Sequence, residues 1–513
     1  MNDRGLTRRE MLQRGGVAAA AAGGLALAGA GGYAWPRAAA AAAGTQAASG
    51  SNDVLHFVSR PDLTPPAVTI AHHGPAPASP PYFIMAPAGF PNTGPGVPGL
   101  MILGVNGNLV WYSPNTGFPA SKGMARMDLK VQSYRRQPVL TWWEGQVIRG
   151  TGIGKAVIAN SSYRTVATVG GGNGLAADLH EFVISPQDTA LVTANRPVQA
   201  NLSALGGPKN GTVLSGVVLE IDIPSGRVLF EWDSLSHVPV TDTFQAFYGG
   251  TPANPFDYFH INSINVGPDG NLLVSGRNTC AVYKISRKGG QVMWRLGGKR
   301  SSFRMGSGTT FWWQHHAHAQ SATVVSLFDD GAAPAKETQS RGILLDLDTA
   351  AMRATLQASY THSARLLASF EGSMQVLPDG RVLVGWGNLP YFSEYTQDGT
   401  LIMDGQFPAG DQSYRVFTSS WTGHPTDRPA VAARVNPAGG SVVYASWNGE
   451  TQVASWTVLA GGTASTLAKA GVGRYINFET AITVRADGPY FAVTANDAHG
   501  HVLAQSQTVK RQK

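Results

Sequence analysis

Between Asp257 and Gly298 four short segments of alternating apolar and polar residues follow one another within about 40 positions, and this pattern narrows the possible folds most. Ile261 to Val266 runs into the turn Gly267-Pro268-Asp269-Gly270, and Leu272 to Ser275, Ala281 to Ile285 and Gln291 to Leu296 complete the set. Alternation over four to six residues, broken by Asp-Gly and Gly-Gly, is hairpin chemistry: the side chains divide between two faces and the glycines make the tight turns. One four-stranded antiparallel sheet of about 40 residues has the size of a single β-propeller blade.

The pattern recurs along the chain. Tyr82 to Met85, Leu100 to Leu103 and Leu109 to Tyr112 read as three strands, and Pro138 to Trp142, Ala156 to Asn160 and Thr165 to Val169 as three more. His180, His260 and His315 each stand at the entry to such a unit, and Gly372 opens another before Met374 to Val384. The spacings of 80, 55 and 57 residues between these entries suit blades that carry loops of unequal length. About six blades fit into residues 54–425. No segment sustains a 3.6-residue apolar period, so helices should be few. With 62 glycines, 31 prolines and only 14% charged residues, the composition agrees with an all-β chain of short strands.

Beyond Pro429 the texture changes, and residues 430–513 read as a small C-terminal β-sandwich of fibronectin or immunoglobulin type. Its expected strands are 432–435, 442–447, 453–459, 476–478, 490–495 and 502–505. At the other end, Arg8-Arg9 precedes a weakly apolar Ala/Gly run and several Ala-x-Ala sites. Residues 1–43 therefore read as a twin-arginine export signal, followed by a linker at 44–53, which places the mature protein outside the cytoplasm. The alternative is that the signal stays as an anchor, the one way in which this reading meets a membrane. The proline-rich stretch after Pro61 should be extended, with His72 and His73 facing solvent. A net charge of +7 without a run of like charges gives no basis for nucleic-acid binding. Cys280 is the single cysteine, which excludes an intrachain disulfide.

Histidines carry the candidate chemistry. At the entries of inner strands, His180, His260 and the group His315-His316-Ala317-His318 would converge near a propeller axis. Structural imidazoles bonded to loop carbonyls would show the same placement. A metal is not expected: on a strand His316 and His318 share a face that His315 does not, and only Asp257 and Glu181 lie beside these histidines as carboxylates. The cluster Gly170 to Gly174 lacks phosphate-cradle spacing, and no Gly-x-Ser-x-Gly elbow supports a serine hydrolase.

Phe259-His260-Ile261-Asn262-Ser263, Ser275-Gly276-Arg277, Trp313-Gln314-His315, Leu327-Phe328-Asp329-Asp330-Gly331 and Arg341 resemble the successive motifs of bacterial arylsulfotransferases, over roughly residues 54–430. The resemblance implies a six-bladed propeller that needs no cofactor and no nucleotide sulfate donor. It implies transfer of a sulfuryl group from a phenolic sulfate ester to a phenol through a sulfated histidine. On this match His260 and His315 are the two active-site histidines, and Arg341 is the arginine after the Phe-Asp-x-Gly motif. His180, Asn262, Arg277 and Gln314 are then expected to contact substrate. An arginine fork suits sulfate oxygens, and histidine titrates where a leaving phenolate needs its proton. The stretch Phe370 to Gln375 holds no imidazole where the family's nucleophile should lie; His362 precedes it and His424 falls in the connector. The match is therefore to a broader branch of that family. The alternatives are a non-catalytic ligand- or partner-binding propeller and, less well matched for want of repeated tryptophan motifs, a quinone-dependent dehydrogenase.

Overall fold

A computed structural model describes residues 53–75, 79–88 and 94–513. The expected export signal and all but the last residue of the expected linker lie outside the described residues. Among those described, helical backbone is limited to 3-10 turns of three residues, and no helix is long and apolar enough to cross a membrane. The described residues are all-β, as the alternation implies.

Six antiparallel sheets follow in chain order, each running from an inner strand outward. The first sheet is Val416–Ser419, Tyr82–Met85, Gly99–Gly104 and Leu109–Pro114; the second is Met124–Tyr134, Gln137–Ile148, Thr151–Ala159 and Thr165–Val169. The third comprises Phe182–Ile184, Thr189–Ala200, Gly211–Asp222 and Val228–Asp233. In the fourth, Ile261–Val266, Leu272–Gly276, Ala281–Ile285 and Val292–Gly297 stand close to where the turn chemistry puts them. Gly270 takes φ 77° in its first hairpin, a left-handed conformation that strains any residue with a Cβ. The fifth sheet is His315–Ala319, Val324–Asp329, Arg341–Asp348 and Arg353–Tyr360, and the sixth is Ser373–Val376, Val382–Gly385, Tyr391–Tyr395 and Leu401–Gln406.

Each sheet packs on the next and the sixth packs on the first, so the contacts close into a cycle. The apolar clusters lie between neighbours: Val192, Val217 and Leu219 of the third sheet join Ala156 and Ile158 of the second, and Leu327 and Ile343 of the fifth join Val282 and Leu296 of the fourth. The closing strand Val416–Ser419 pairs with Tyr82–Met85 in register Met85 to Val416. Local alternation does not reveal it, because its partners lie over 300 residues away. At the outer edge of the sixth sheet, Thr69–His72 pairs with Leu401–Gln406. His72 is consequently not a solvent-facing loop residue: it is half-buried in that strand and its Nε2 bonds Val105 O at 2.7 Å. His73 is exposed, as expected.

Beyond these sheets, Ala430–Val435, Ser441–Ser446 and Glu479–Val484 form one sheet, and Ser455–Thr463, Thr466–Arg474, Tyr490–Asn496 and Val502–Gln505 form another. Both contribute to one apolar core around the buried Trp456. Thr466–Arg474 escapes sequence reading because Ala-Gly-Val-Gly offers little alternation, whereas the expected strand at 476–478 is a loop that precedes Glu479–Val484. This part docks firmly on the first sheet. Asn448 brackets Tyr112 as a strand would, its Oδ1 accepting Tyr112 N–H at 2.9 Å and its Nδ2 donating to Tyr112 O at 2.8 Å.

Candidate functional site

The inner strands of the second, fourth and fifth sheets each break register near their start, between Met127 and Lys130, Ile261 and Ser263, and His315 and His318. At or beside these breaks Asp128, His260 and His316 take φ of 58°, 52° and 52°. An extra residue in a strand re-aims the side chains around it, and left-handed backbone on non-glycine residues is kept only where surroundings enforce it. The bulges turn their side chains toward the centre of the cycle.

Three imidazoles meet carboxyl groups there, each through Nδ1. His180 Nδ1 lies 2.5 Å from Asp178 Oδ2, His260 Nδ1 2.5 Å from Asp257 Oδ2, and His315 Nδ1 2.8 Å from Asp330 Oδ2. The backbone supports two of these pairs, since His180 N–H donates to Asp178 at 3.1 Å and His260 N–H to Asp257 at 2.9 Å. A carboxylate on Nδ1 fixes the proton there and leaves the Nε2 lone pair outward. The Nε2 atoms of His180 and His260 have no hydrogen-bond partner among the described residues, and the two rings lie 4.7 Å apart, edge to face. His315 differs, because its Nε2 accepts Glu371 N–H at 3.3 Å.

Burial sets the electrostatics. It lowers the His260 imidazole below its ordinary range against the opposing charge of Asp257. It lowers His315 well below that range, helped by Arg277 and the neighbouring imidazoles. Burial works to raise Asp178, but the His180 charge and hydrogen bond and two backbone N–H groups outweigh it and hold the carboxyl low. Arg277 is 1% exposed, donates to Asn278 Oδ1 and Ser369 O, and lies 5.2 Å over the Trp313 ring. It supplies fixed positive charge beside His260 and His315.

Beneath the histidines Arg415, from the strand entry of the first sheet, ties four sheets together. It bonds Glu181 at 2.9 Å and Asp128 at 3.3 Å, and donates to the carbonyls of His180 at 3.0 Å and Asn262 at 2.9 Å. Lys130 bridges the same two carboxylates at 2.5 and 2.8 Å. Burial would raise Glu181, yet Arg415 and Lys130 hold it below the carboxylate range. Two cations and two carboxylates thus balance in a buried centre.

Of the expected site residues, the structure brings His180, His260, His315 and Arg277 together. Arg341 stands apart from them. Its Nε bonds Asp329 at 3.0 Å and its other nitrogens the carbonyls of Gly308 and Thr310. Asp330, the first residue beyond the strand Val324–Asp329, turns to His315, while Asp329 at its end holds Arg341 away. Asn262 and Gln314 are buried struts between the fourth and fifth sheets: Asn262 Nδ2 donates to Gln314 O at 2.6 Å, and Gln314 Nε2 to Ser275 Oγ at 2.9 Å. His316 and His318 do share a face, with rings 4.1 Å apart, and burial pushes His318 down to about 3. Among the described residues no group of three or more His, Cys, Asp or Glu side chains could hold a metal ion. Asp178, Glu371, Tyr414 and Arg415 escape the sequence reading, and Asp330 stands in its Phe328-Asp329-Asp330-Gly331 motif with no role given to it. Only the spacing Asp178-x-His180 is a local signal, and the reading pairs that histidine with Glu181 instead.

A family model described as arylsulfotransferase (ASST) matches residues 130–408, more than half of the chain. No curated protein matches. Among solved structures, a protein of unknown function from Bacteroides caccae is 13% identical with a TM-score of 0.39, covering 66% of this chain and 98% of its own. A catalytically inactive virginiamycin B lyase from Staphylococcus aureus with quinupristin is 9% identical with a TM-score of 0.34, covering 75% and 97%. Likeness at this level bears on no functional conclusion.

Proposed function

We propose, because this chain belongs to the arylsulfotransferase family, that it moves a sulfuryl group from a phenolic sulfate ester to a phenol without a nucleotide sulfate donor. The observation that carries this reading is the pair of imidazoles at His180 and His260, each held at Nδ1 by an aspartate, with no partner on Nε2 among the described residues. His260, between His180 and Arg277, is the nucleophile in this reading. Its Nε2 forms a bond to sulfur as the bond from sulfur to the phenolate oxygen breaks, and an acceptor phenol reverses the step. Asp257 orients the ring and balances the charge that develops on it. Arg277 adds a positive field for the sulfuryl oxygens, the part that sequence reading shares with Arg341. His315, with both nitrogens engaged, positions the Glu371 backbone.

The six sheets read as the blades of a propeller over residues 54–425, supported by their cyclic packing, and residues 430–513 as a β-sandwich, supported by their shared core. Export by the twin-arginine route, with the mature protein in the cell envelope or secreted, is part of the same reading and rests on Arg8 and Arg9. The test is incubation with 4-nitrophenyl sulfate and phenol. Phenol-dependent release of 4-nitrophenol together with phenyl sulfate is expected. No turnover across a panel of aryl sulfates would overturn the assignment in favour of a binding protein.

A further inference from the structure

A slot of about 110 Å³ lies between the first and second sheets, and no histidine lines it. Phe118, Ala120, Met124 and Met127 form its walls, and Glu371 and Tyr414 close its inner end. Both residues at that end contact histidines of the centre. Glu371 N–H bonds His315, while the Tyr414 ring lies 6.0 Å from His180 and its hydroxyl donates to His180 O at 3.2 Å. A dry cavity of roughly 150 Å³ lined by aliphatic and aromatic groups is enough to bind benzene. The slot is therefore of the order of one aromatic ring whose edge stays at the mouth.

Glu371 has no structural task that accounts for a carboxyl group. It is 8% exposed and held at φ 68°, and its Oε2 accepts Gln412 Nε2 at 2.9 Å. Its Oε1 has no hydrogen-bond partner among the described residues. Asp330 and His315 from the fifth sheet and Tyr414 from the first are the titratable groups around it. Burial raises the carboxyl to about 8 against the Gln412 hydrogen bond, so near neutral pH it carries a proton that it can give up.

We propose that the slot seats the aromatic ring first of the sulfate ester and then of the acceptor, and that the Glu371 carboxyl carries the phenolic proton between them. This rests on the transferase reading. In the first half-reaction the bond from sulfur to the phenolate oxygen breaks, the bond from sulfur to imidazole nitrogen forms, and Glu371 protonates the departing phenolate. In the second, Glu371 as carboxylate takes the acceptor's hydroxyl proton while that oxygen bonds sulfur and the nitrogen–sulfur bond breaks. Proton and sulfuryl group both balance over the cycle. Walls of methyl, thioether and phenyl groups, with no Lys or Arg among the lining residues, select uncharged single-ring phenols over those bearing a carboxylate.

Glu371→Gln keeps the shape and removes the proton. In a single turnover followed before acceptor is added, the variant should lose roughly 10²–10⁴-fold in release of phenol from phenyl sulfate, whose leaving phenolate is strongly basic, and much less in release of 4-nitrophenol from 4-nitrophenyl sulfate. Its rate should also lose the wild-type dependence on pH near 8. An equal loss for both donors, or none for either, overturns the role of Glu371 and leaves the transferase reading intact. Binding of 4-nitrophenol, followed by difference absorbance, tests the slot separately: Ala120→Trp at its exposed wall should abolish it, and unchanged binding overturns the assignment. If wild-type turns over no donor yet binds 4-nitrophenol in an Ala120-dependent way, the transferase reading and the proton transfer both fall, and the ring subsite stands.

Discussion

His260 concentrates strain, a short charge-assisted hydrogen bond and an open Nε2 in one residue. Replacing it with Ala should remove turnover while costing about 1–3 kcal/mol, because Asp257 loses a buried partner but no large apolar group leaves the core. Rate and thermal unfolding measured together decide this: wild-type rates in a folded His260→Ala protein would make the imidazole structural. Arg277→Lys should cut the rate as well, since lysine keeps the charge but loses the planar fork over Trp313. Glu371 permits a prediction that needs no substrate. Its folded value of about 8 lies above the unfolded one, so the native state binds more protons between the two and stability falls as pH rises through that window. Glu371→Gln should therefore raise Tm at pH 8 relative to wild type and change it little near pH 4. A uniform shift at both pH values would contradict the buried, protonated carboxyl.

At the scale of strands, the register breaks at Met127, Ile261 and His315 aim the site, and Arg415 fastens the strands that bear it. Arg415→Met leaves Asp128 and Glu181 buried with Lys130 alone, which should cost roughly 3–5 kcal/mol, as for other broken buried ion pairs. Denaturant unfolding would show it, and a loss below about 1 kcal/mol would mean that water reaches the pair. Glu181 and Asp178 are held below their unfolded values, so they stabilise the fold above the ordinary carboxylate range and withdraw that contribution as pH falls through their folded values. Much of this scale is legible in the sequence. The Pro-Asp-Gly turn and apolar alternation suffice to place four strands between Asp257 and Gly298, and the entry histidines stand out as isolated polar side chains. Arg415 and Asp128 do not, because a bond across 287 residues leaves no local trace. Nor does Glu371 in Phe-Glu-Gly-Ser, whose importance comes from a slot that exists only when the first two sheets are in place. Arg341 shows the opposite limit: the motif locates the residue, but only the folded strand end shows which of two adjacent aspartates it follows.

Across the whole molecule, both ends of the described chain are built into its body. Ser59 bonds Glu479 of the C-terminal part, Thr69–His72 edges the sixth sheet, and Val416–Ser419 completes the first. Replacing Arg8 and Arg9 with Lys should leave the protein in the cytoplasm, scored by cell fractionation; continued export would remove the twin-arginine assignment. The closing strand also sets a timetable for synthesis. Met85 leaves the ribosome roughly 330 residues before its partner Val416. At about 5–20 residues per second, the strand Tyr82–Met85 waits roughly 15–65 s with one edge unpaired. During that interval the nascent chain presents an apolar strand edge to every other chain around it. A ribosome-bound chain halted before Val416 should accordingly be cut by protease within its first sheet, whereas one released at full length resists.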